Sequence, residues 1–195
     1  MPQPLSPPRV LVAYASNHGQ TRLVAERIAA VLDALGLDAD MHDLEARAAD
    51  PFGPDYAGVV VAASIHAGHH QKCAKHWAQA HAASLGSTPS AFVSVSLTAA
   101  DDSDEARAQT TQLIDAFTDE TGWHPLQTLA CAGALRYREY DVATRVLMRL
   151  IARRHGQPTD VHRDVEFTDW DAVEQFARGF SATVTGQKDG STLVC

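Results

Sequence analysis

The sequence predicts an α/β fold, a doubly wound, five-stranded parallel sheet with strand order 2-1-3-4-5. Two observations lead to this prediction. Short runs rich in β-branched residues alternate with longer segments whose apolar residues recur at helical spacing. The short runs are apolar throughout, which is typical of parallel strands that helices cover on both faces. Such alternation favours right-handed βαβ units, in which each helix returns the chain to the next parallel strand.

The first half of the chain supplies three predicted strands and one clear helix. Val10–Tyr14 is short and apolar, as a buried strand should be. From Gln20 to Leu35 apolar residues recur every three or four positions, and Gly36 is a typical helix stop. Asp38–Leu44 is a weaker strand, and a loop containing Pro and Gly separates it from the apolar strand Gly58–Ala63.

The second half continues the alternation and then breaks it. A helix at Gln71–Ala83 leads to the strand Ser90–Leu97, and a helix at Glu105–Thr121 leads to the strand Leu126–Ala132. The sequence then predicts an insertion at residues 134–163, in the fifth-strand region. Three further elements are expected from this point: an insertion helix at Asp141–Arg154, a short strand at Asp164–Phe167 and a last helix at Asp169–Thr183.

Composition fits one globular domain. Of 195 residues, 45 % are hydrophobic and 21 % are charged, and the formal net charge of −8 argues against a nucleic-acid partner. Three scattered cysteines without a CxxC spacing predict neither a disulfide framework nor a metal site, and suit a cytoplasmic location. No apolar run approaches the ~18 residues of a membrane span. We expect the domain to cover residues 9–185, between flexible termini at 1–8 and 186–195.

Three loops should meet where the strand order reverses, because ligands of such sheets bind at the carboxyl ends of the strands beside that point. They are residues 15–21, 64–70 and 98–104. The first reads SNHGQT and opens a helix, whose free N–H groups and dipole favour an anion. It is neither a Walker A loop nor a GxGxxG loop, so one phosphate monoester fits best. The alternative is a polar helix cap that binds nothing.

Five segments carry a resemblance to a known family: ASNHGQTR, ASIHAGHHQ, PSAFVSVSL, AGALRYREYD and DVEFTDW. The first resembles the phosphate loop of flavodoxins. Together they make the chain similar to the flavodoxin-like, menaquinone-dependent protoporphyrinogen IX dehydrogenase family, from about Arg9 to Val184. The AGALRY segment and the insertion after it point to this family in particular.

The resemblance implies FMN as the cofactor and assigns it three groups of residues. The phosphate would be held by Ser16, Asn17, His18, Gly19, Gln20 and Thr21. The isoalloxazine ring would run along Ser64, Ile65, His66, Ala67 and Gly68. Its other side would be closed by Ser96, Leu97, Thr98 and Ala99.

The resemblance also implies an activity in heme biosynthesis: dehydrogenation of protoporphyrinogen IX, with menaquinone or ubiquinone as the electron acceptor. One rival function is that of a flavodoxin-type electron carrier, although carriers usually stack aromatic side chains on the flavin and the second and third loops contain no Trp or Tyr. A second is that of an FMN-dependent quinone reductase. A third is that of a domain that has lost flavin and binds only a partner or an anion.

Three histidines in the second loop, His66, His69 and His70, could relay protons, since imidazole titrates near neutral pH. The alternative is that they are solvated loop residues. His66 is the one candidate for a catalytic role. No carboxylate or cysteine completes a metal site with them, so we expect none.

The insertion is locally basic in an acidic chain. Its predicted helix pairs an apolar stripe with arginines at every fourth position, a pattern that suits an anionic membrane surface or an apolar substrate carrying carboxylates. The alternative is a solvated basic face. The residues expected to contact substrate or the inner face of the cell membrane are Arg136, Tyr137, Arg145, Arg149 and Arg153.

Overall fold

The computed structural model describes residues 6–46, 49–135 and 165–186. The predicted insertion helix Asp141–Arg154 lies outside the described residues. So do the predicted substrate or membrane contacts Arg136, Tyr137, Arg145, Arg149 and Arg153.

A parallel sheet forms the centre of the fold. Its five parallel strands are β1 (Arg9–Ala15), β2 (Asp38–Asp43), β3 (Tyr56–His66), β5 (Ser90–Ser96) and β6 (Gln127–Ala132). A sixth, short strand, β4 (His69–His70), pairs antiparallel with the end of β3. The order β2-β1-β3-β5-β6 is the predicted 2-1-3-4-5 order once β4 is left out of the count. The order therefore reverses between β1 and β3, as expected.

Four α-helices cover the two faces of the sheet within the described ranges: α1 (Gln20–Ala34), α2 (Lys72–Ser87), α3 (Asp104–Thr121) and α4 (Trp170–Thr185). A 3₁₀ turn occupies Thr98–Ala100, and β7 (Ala134–Leu135) pairs antiparallel with β8 (Val165–Glu166) beside the main sheet. None of the described helices combines the length and apolar character needed to cross a bilayer.

Both faces of the sheet are buried, which explains the apolar runs in the sequence. Alternate residues of β1 point to opposite sides. Val10 and Val12 pack in the cluster that includes residues of α1 and α4, while Leu11 and Ala13 pack in the cluster that includes residues of α2 and α3. The largest fully buried side chain among the described residues is Trp123, whose Nε1–H donates to Ser90 Oγ at 2.9 Å.

The clearest difference from prediction lies after Ala63. The apolar pattern ends there and predicts a loop from Ser64 onward. The structure instead extends β3 to His66 and returns the chain through β4, with Ile65 opposite His70 and His66 opposite His69. Backbone pairing, which leaves no apolar signature in the sequence, forms this hairpin.

Candidate functional site

The carboxyl ends of β1, β3 and β5 place the three predicted loops next to one another. The parallel register aligns Ala15 of β1 with Ala63 of β3, and Ser64 of β3 with Val95 of β5. Ser16, which follows β1, and Ser64, which lies within β3, are therefore the next residues on neighbouring strands. The predicted first and second groups of site residues start at the same level of the sheet.

The first loop turns into α1 at Gly19, which has a φ of 82°. Only glycine adopts this left-handed conformation at low cost, so the turn explains why this residue type stands there. No side chain caps the helix and no acidic residue lies in its first turn. The N–H groups and the positive end of the helix dipole consequently meet no opposing charge from α1 itself. The loop can hold an anion.

Three polar atoms at this end of the sheet are buried without a hydrogen-bond partner. They are Ser16 Oγ, Ser64 Oγ and Gln71 Oε1, and among the described residues they form the whole set of such side-chain atoms. An unpaired buried polar atom costs about 1–3 kcal/mol, so each one in a native fold calls for an explanation. A ligand rich in hydroxyl, carbonyl and N–H groups, such as a flavin with its ribityl chain, would satisfy them.

The side chain of Gln20 is already occupied within the protein. Its Nε2 donates to Glu166 Oε1 at 2.8 Å and to Thr168 Oγ1 at 2.9 Å, and Thr168 in turn donates to the carbonyl oxygen of Ala132 at 2.8 Å. Gln20 thus ties the start of α1 to the segment that follows β8. Gln20 can therefore offer a phosphate its backbone N–H rather than its side-chain amide.

The second loop is a β-hairpin with a two-residue turn. Ala67 and Gly68 have φ values of 50° and 81°, and positive φ at both positions is the signature of the type I′ turns that join tightly paired strands. Ser64 and Ile65 are half-buried, whereas His66, Ala67 and Gly68 are exposed at the tip. The hairpin presents a short, rigid backbone edge beside the first loop.

The three histidines of this hairpin do not act together. His66 and His69 are exposed, but His70 turns inward and is 9 % exposed. Its Nε2 lies 2.8 Å from Ser94 Oγ, and the rings of Phe92 and Phe117 contact it edge-on. Burial lowers the pKa of His70 to about 4, so this imidazole is neutral near pH 7. His70 is a core residue rather than a solvated relay, whereas His66 keeps the exposure that a relay needs.

The third loop is short and internally bonded. Ser96 is buried, and its Oγ accepts a hydrogen bond from the N–H of Ala99 at 3.2 Å. Leu97, Thr98 and Ala99 are half-buried in and beside the 3₁₀ turn. The carbonyl oxygen of Ser96 also accepts from Gly133 N–H at 3.0 Å, which anchors the loop to the end of β6.

A cleft of about 310 Å³ lies between the edge strand β6 and the start of α4, and Ala99 of the third loop contributes to its lining. Cys131 lines it, and burial raises the pKa of that thiol to about 12, so it is protonated and unreactive. Across the described ranges, no group of three His, Cys, Asp or Glu side chains is arranged to hold a metal ion.

Sequence reasoning missed Gln71 as a residue of this site. The sequence predicts it only as the start of a helix, and in the structure it occupies the N-cap position of α2. Its side chain contacts Asn17 of the first loop and Glu45 beyond β2. Contacts this distant in sequence leave no local signal. The one available sign was the ASIHAGHHQ segment, which ends on this residue.

Comparisons with known proteins agree with the fold and extend it. Residues 11–162 match the model of the flavodoxin domain family. A curated relative from Escherichia coli strain K12, protoporphyrinogen IX dehydrogenase [quinone], is 35 % identical over 170 residues, which cover 87 % of this chain and 93 % of the relative. The protein of the same name from Leishmania major is 33 % identical over 176 residues, covering 90 % and 75 % of the two chains.

Solved structures show the same architecture at low identity. Oxidised flavodoxin 2 from Bacillus cereus superimposes with a TM-score of 0.56 at 18 % identity, covering 90 % of this chain and 99 % of the other. A short-chain flavodoxin associated with a bacterial microcompartment superimposes with a TM-score of 0.55 at 13 % identity, covering 91 % of this chain and 99 % of the other. Fold and sequence thus agree. The chain belongs to the flavodoxin domain family and, within it, to the family of quinone-dependent protoporphyrinogen IX dehydrogenases.

Proposed function

We propose that this protein is an FMN-dependent oxidoreductase that dehydrogenates protoporphyrinogen IX to protoporphyrin IX and passes the electrons to a quinone. The observation that carries the proposal is 35 % identity over nearly the whole of both chains to an enzyme of that name. The activity is a step of heme biosynthesis.

FMN suits the residues of the site better than FAD or a nicotinamide dinucleotide. The first loop offers one phosphate cradle and carries no GxGxxG pattern for a pyrophosphate. The unpaired Ser16 Oγ lies in the loop expected to receive the phosphate, and the unpaired Ser64 Oγ lies at the base of the hairpin expected to receive the ring. Bound FMN would offer hydrogen-bond partners to both of these polar atoms.

Bound FMN would supply the redox chemistry, accepting hydrogen from the porphyrinogen and releasing electrons to the quinone. The residues of the chain bind and orient. The N–H groups of residues 16–21 hold the phosphate, the hairpin Ser64–Gly68 supports one side of the ring, and Ser96–Ala99 closes the other. His66, exposed at the hairpin tip, is the candidate for moving a proton.

An electron-carrier role is less well supported. The segments Ser64–Gly68 and Ser96–Ala99 contain no Trp or Tyr that could stack on the flavin, which leaves the ring accessible to a large flat substrate.

We further propose that the acceptor is menaquinone or ubiquinone and that the arginines of residues 136–153 bring the cytoplasmic protein to an anionic membrane surface.

The test is an anaerobic assay of the FMN-loaded protein with protoporphyrinogen IX, with and without menadione. Formation of protoporphyrin in repeated turnovers only when menadione is present supports the proposal. Menadione reduction with another electron donor, together with no reaction of the porphyrinogen, would instead assign the protein to the quinone reductases. Failure to retain FMN after loading would remove the oxidoreductase assignment altogether.

A further inference from the structure

Gln71 connects three separate parts of the site. It occupies the N-cap position of α2, where its side chain makes no capping hydrogen bond, and it is 7 % exposed. Its backbone N–H donates to the carbonyl oxygen of Ser64 at 3.2 Å, at the base of the flavin-facing hairpin. Its side-chain amide reaches Asn17 in the first loop and Glu45 beyond β2. A buried residue that bonds three segments, one through its backbone and two through its side chain, restrains their relative positions.

The neighbours of Gln71 fix which way its carboxamide points. Nε2 donates to Asn17 Oδ1, and also to Glu45 Oε1 at 3.0 Å. Glu45 when ionised can only accept, so the NH₂ end of Gln71 must face it. The two N–H groups of that amide then have one acceptor each, and Oε1 is left buried without a partner. In this orientation the side chain donates two hydrogen bonds and leaves its one acceptor unpaired.

The orientation of Gln71 determines the orientation of Asn17. Because Asn17 uses Oδ1 as the acceptor for Gln71, its own NH₂ group, with two N–H donors, takes no part in that contact. Asn17 stands in the loop that opens α1, next to Ser16 with its unpaired Oγ. An amide fixed in this way can offer donors to an anion. The opposite orientation would offer it a carbonyl oxygen and repel it.

We propose that Gln71 is a positioning residue for the phosphate loop: it holds Asn17 with its N–H donors free for the phosphate and so sets the phosphate-dependent part of the flavin affinity. The inference rests on the proposed FMN site and goes beyond it, because it assigns a role to a residue outside the phosphate loop. Glu45, Gln71 and Asn17 form a series of hydrogen bonds: the ionised carboxylate of Glu45 orients the amide of Gln71, and that amide orients the amide of Asn17.

The test compares two ligands that differ only in the phosphate. Dissociation constants for FMN and riboflavin are measured with the apoprotein by quenching of flavin fluorescence, for wild type and Gln71→Met. Met has a similar length but can neither donate nor accept these bonds. We expect the FMN constant to rise about fivefold to tenfold and the riboflavin constant to change less than about twofold, since one hydrogen bond is worth about 1 kcal/mol.

A second variant gives a graded result. In Gln71→Glu the carboxylate accepts rather than donates, so Asn17 would turn its NH₂ group toward it and away from the phosphate. We expect the FMN constant to rise further than in Gln71→Met, by roughly thirtyfold, since a hydrogen bond to a charged group is worth about 1.5–3 kcal/mol. If Gln71→Met does not fold, as judged by circular dichroism, this variant takes its place in the comparison.

The decisive result is a double-mutant cycle. In an Asn17→Ala background, Gln71→Met should leave the ratio of the two dissociation constants unchanged, because the residue through which it acts is gone. Gln79→Met is the matched control: Gln79 lies in α2, is exposed, and donates to the carbonyl oxygen of Glu120 at 2.8 Å rather than to the first loop. It should change neither constant.

Three outcomes would overturn the inference while leaving the FMN site intact. In the first, Gln71→Met raises the dissociation constants for FMN and riboflavin equally. In the second, it raises neither constant. In the third, Gln71→Met lowers the preference for FMN over riboflavin as much in the Asn17→Ala background as in wild type. Wild-type protein that binds riboflavin as tightly as FMN would overturn the phosphate loop itself, and this inference with it.

Discussion

At the scale of single residues, the neighbours His70 and Gln71 follow the same tight turn and face in different directions. His70 enters the core between the rings of Phe92 and Phe117, while Gln71 reaches over to Asn17. Three consecutive polar letters, HHQ, give no indication of this separation. It arises because β4 pairs with β3, which turns the side chain of His70 toward the sheet and leaves Gln71 at the N-cap position of α2.

Burial of His70 makes the stability of the protein depend on pH. The folded pKa of about 4 lies below the unfolded value near 6.5, so the unfolded chain takes up a proton first as the pH falls. The stabilisation is complete above about pH 6.5 and is lost toward pH 4. Between pH 7 and pH 5 the loss should be about 2 kcal/mol.

Urea unfolding of wild type and His70→Gln at pH 7 and pH 5 checks this. The variant lacks the titrating imidazole, so its unfolding free energy should fall by about 2 kcal/mol less than that of wild type over the same interval. The neighbouring groups that influence the pKa of His70, Glu120 and His69, are unchanged in the variant. Parallel pH dependence of the two proteins would mean that the pKa of His70 is the same in the folded and the unfolded state.

Thr21 is the residue-scale test of the phosphate loop. It is 1 % exposed in the first turn of α1, where the sequence predicts a hydroxyl donor to the phosphate. Thr21→Val keeps the shape and removes that donor, so the dissociation constant for FMN should rise at least about tenfold. Riboflavin, titrated in parallel, should bind as before. Equal affinity of wild type and variant for FMN would exclude a hydroxyl contact.

At the scale of elements, helices and parallel strands could be predicted to within a few residues because each carries its own pattern. Val10–Tyr14 and Gly58–Ala63 are apolar on both faces, and α1 repeats its apolar residues along one side. The 3₁₀ turn at Thr98–Ala100 and the hairpin beyond Ala63 were not predicted. Both are held by backbone hydrogen bonds in sequences of mixed polarity, so neither leaves a periodic signal.

The contact between β3 and α4 predicts a specific sensitivity at Gly58. A Cβ at this position would lie 2.6 Å from Val184 Cγ2 and 3.1 Å from Phe180 Cζ. Helix α4 packs this closely because β3 has no side chain there, so Gly58→Ala should destabilise by about 1–3 kcal/mol. Gly86→Ala, in α2 with nothing within 4 Å of the added atom, is the control and should be neutral or slightly stabilising.

Chemical unfolding of the two variants separates the explanations. Destabilisation of Gly58→Ala alone supports the close approach of α4. Equal effects of both substitutions would contradict it.

At the scale of the whole molecule, the alternation of strands and helices predicted the parallel sheet and its order, because right-handed crossovers leave few different arrangements. The predicted position of the candidate site rests on that order alone. The network that joins its loops could not be predicted in this way. Gln20 and Glu166 are 146 positions apart in the sequence, and Gln71 and Asn17 are 54 positions apart. Pairings of this range become visible only after folding.

The basic pattern of the insertion gives a prediction about the whole protein at a membrane. Changing Arg136, Arg145, Arg149 and Arg153 together to Gln should weaken co-sedimentation with anionic vesicles by roughly two to three decades, at about 1 kcal/mol for each charge near the surface. Wild-type association should also weaken as salt is raised. The dissociation constant for FMN, measured on the same samples, should not change.

A rise of the KM for porphyrinogen with unchanged sedimentation would assign these arginines to the substrate instead. Loss of neither property would leave them as a solvated basic face.

The most direct measurement of the central claim is a single-turnover experiment on the FMN-loaded protein. It is mixed anaerobically with protoporphyrinogen IX without any quinone, and menadione is added afterwards. We expect the visible absorbance of the flavin to be lost on the first mixing, as each flavin takes up a single pair of electrons, and to return on the second. Flavin absorbance that is unchanged by porphyrinogen, in protein that binds FMN tightly, would contradict the account.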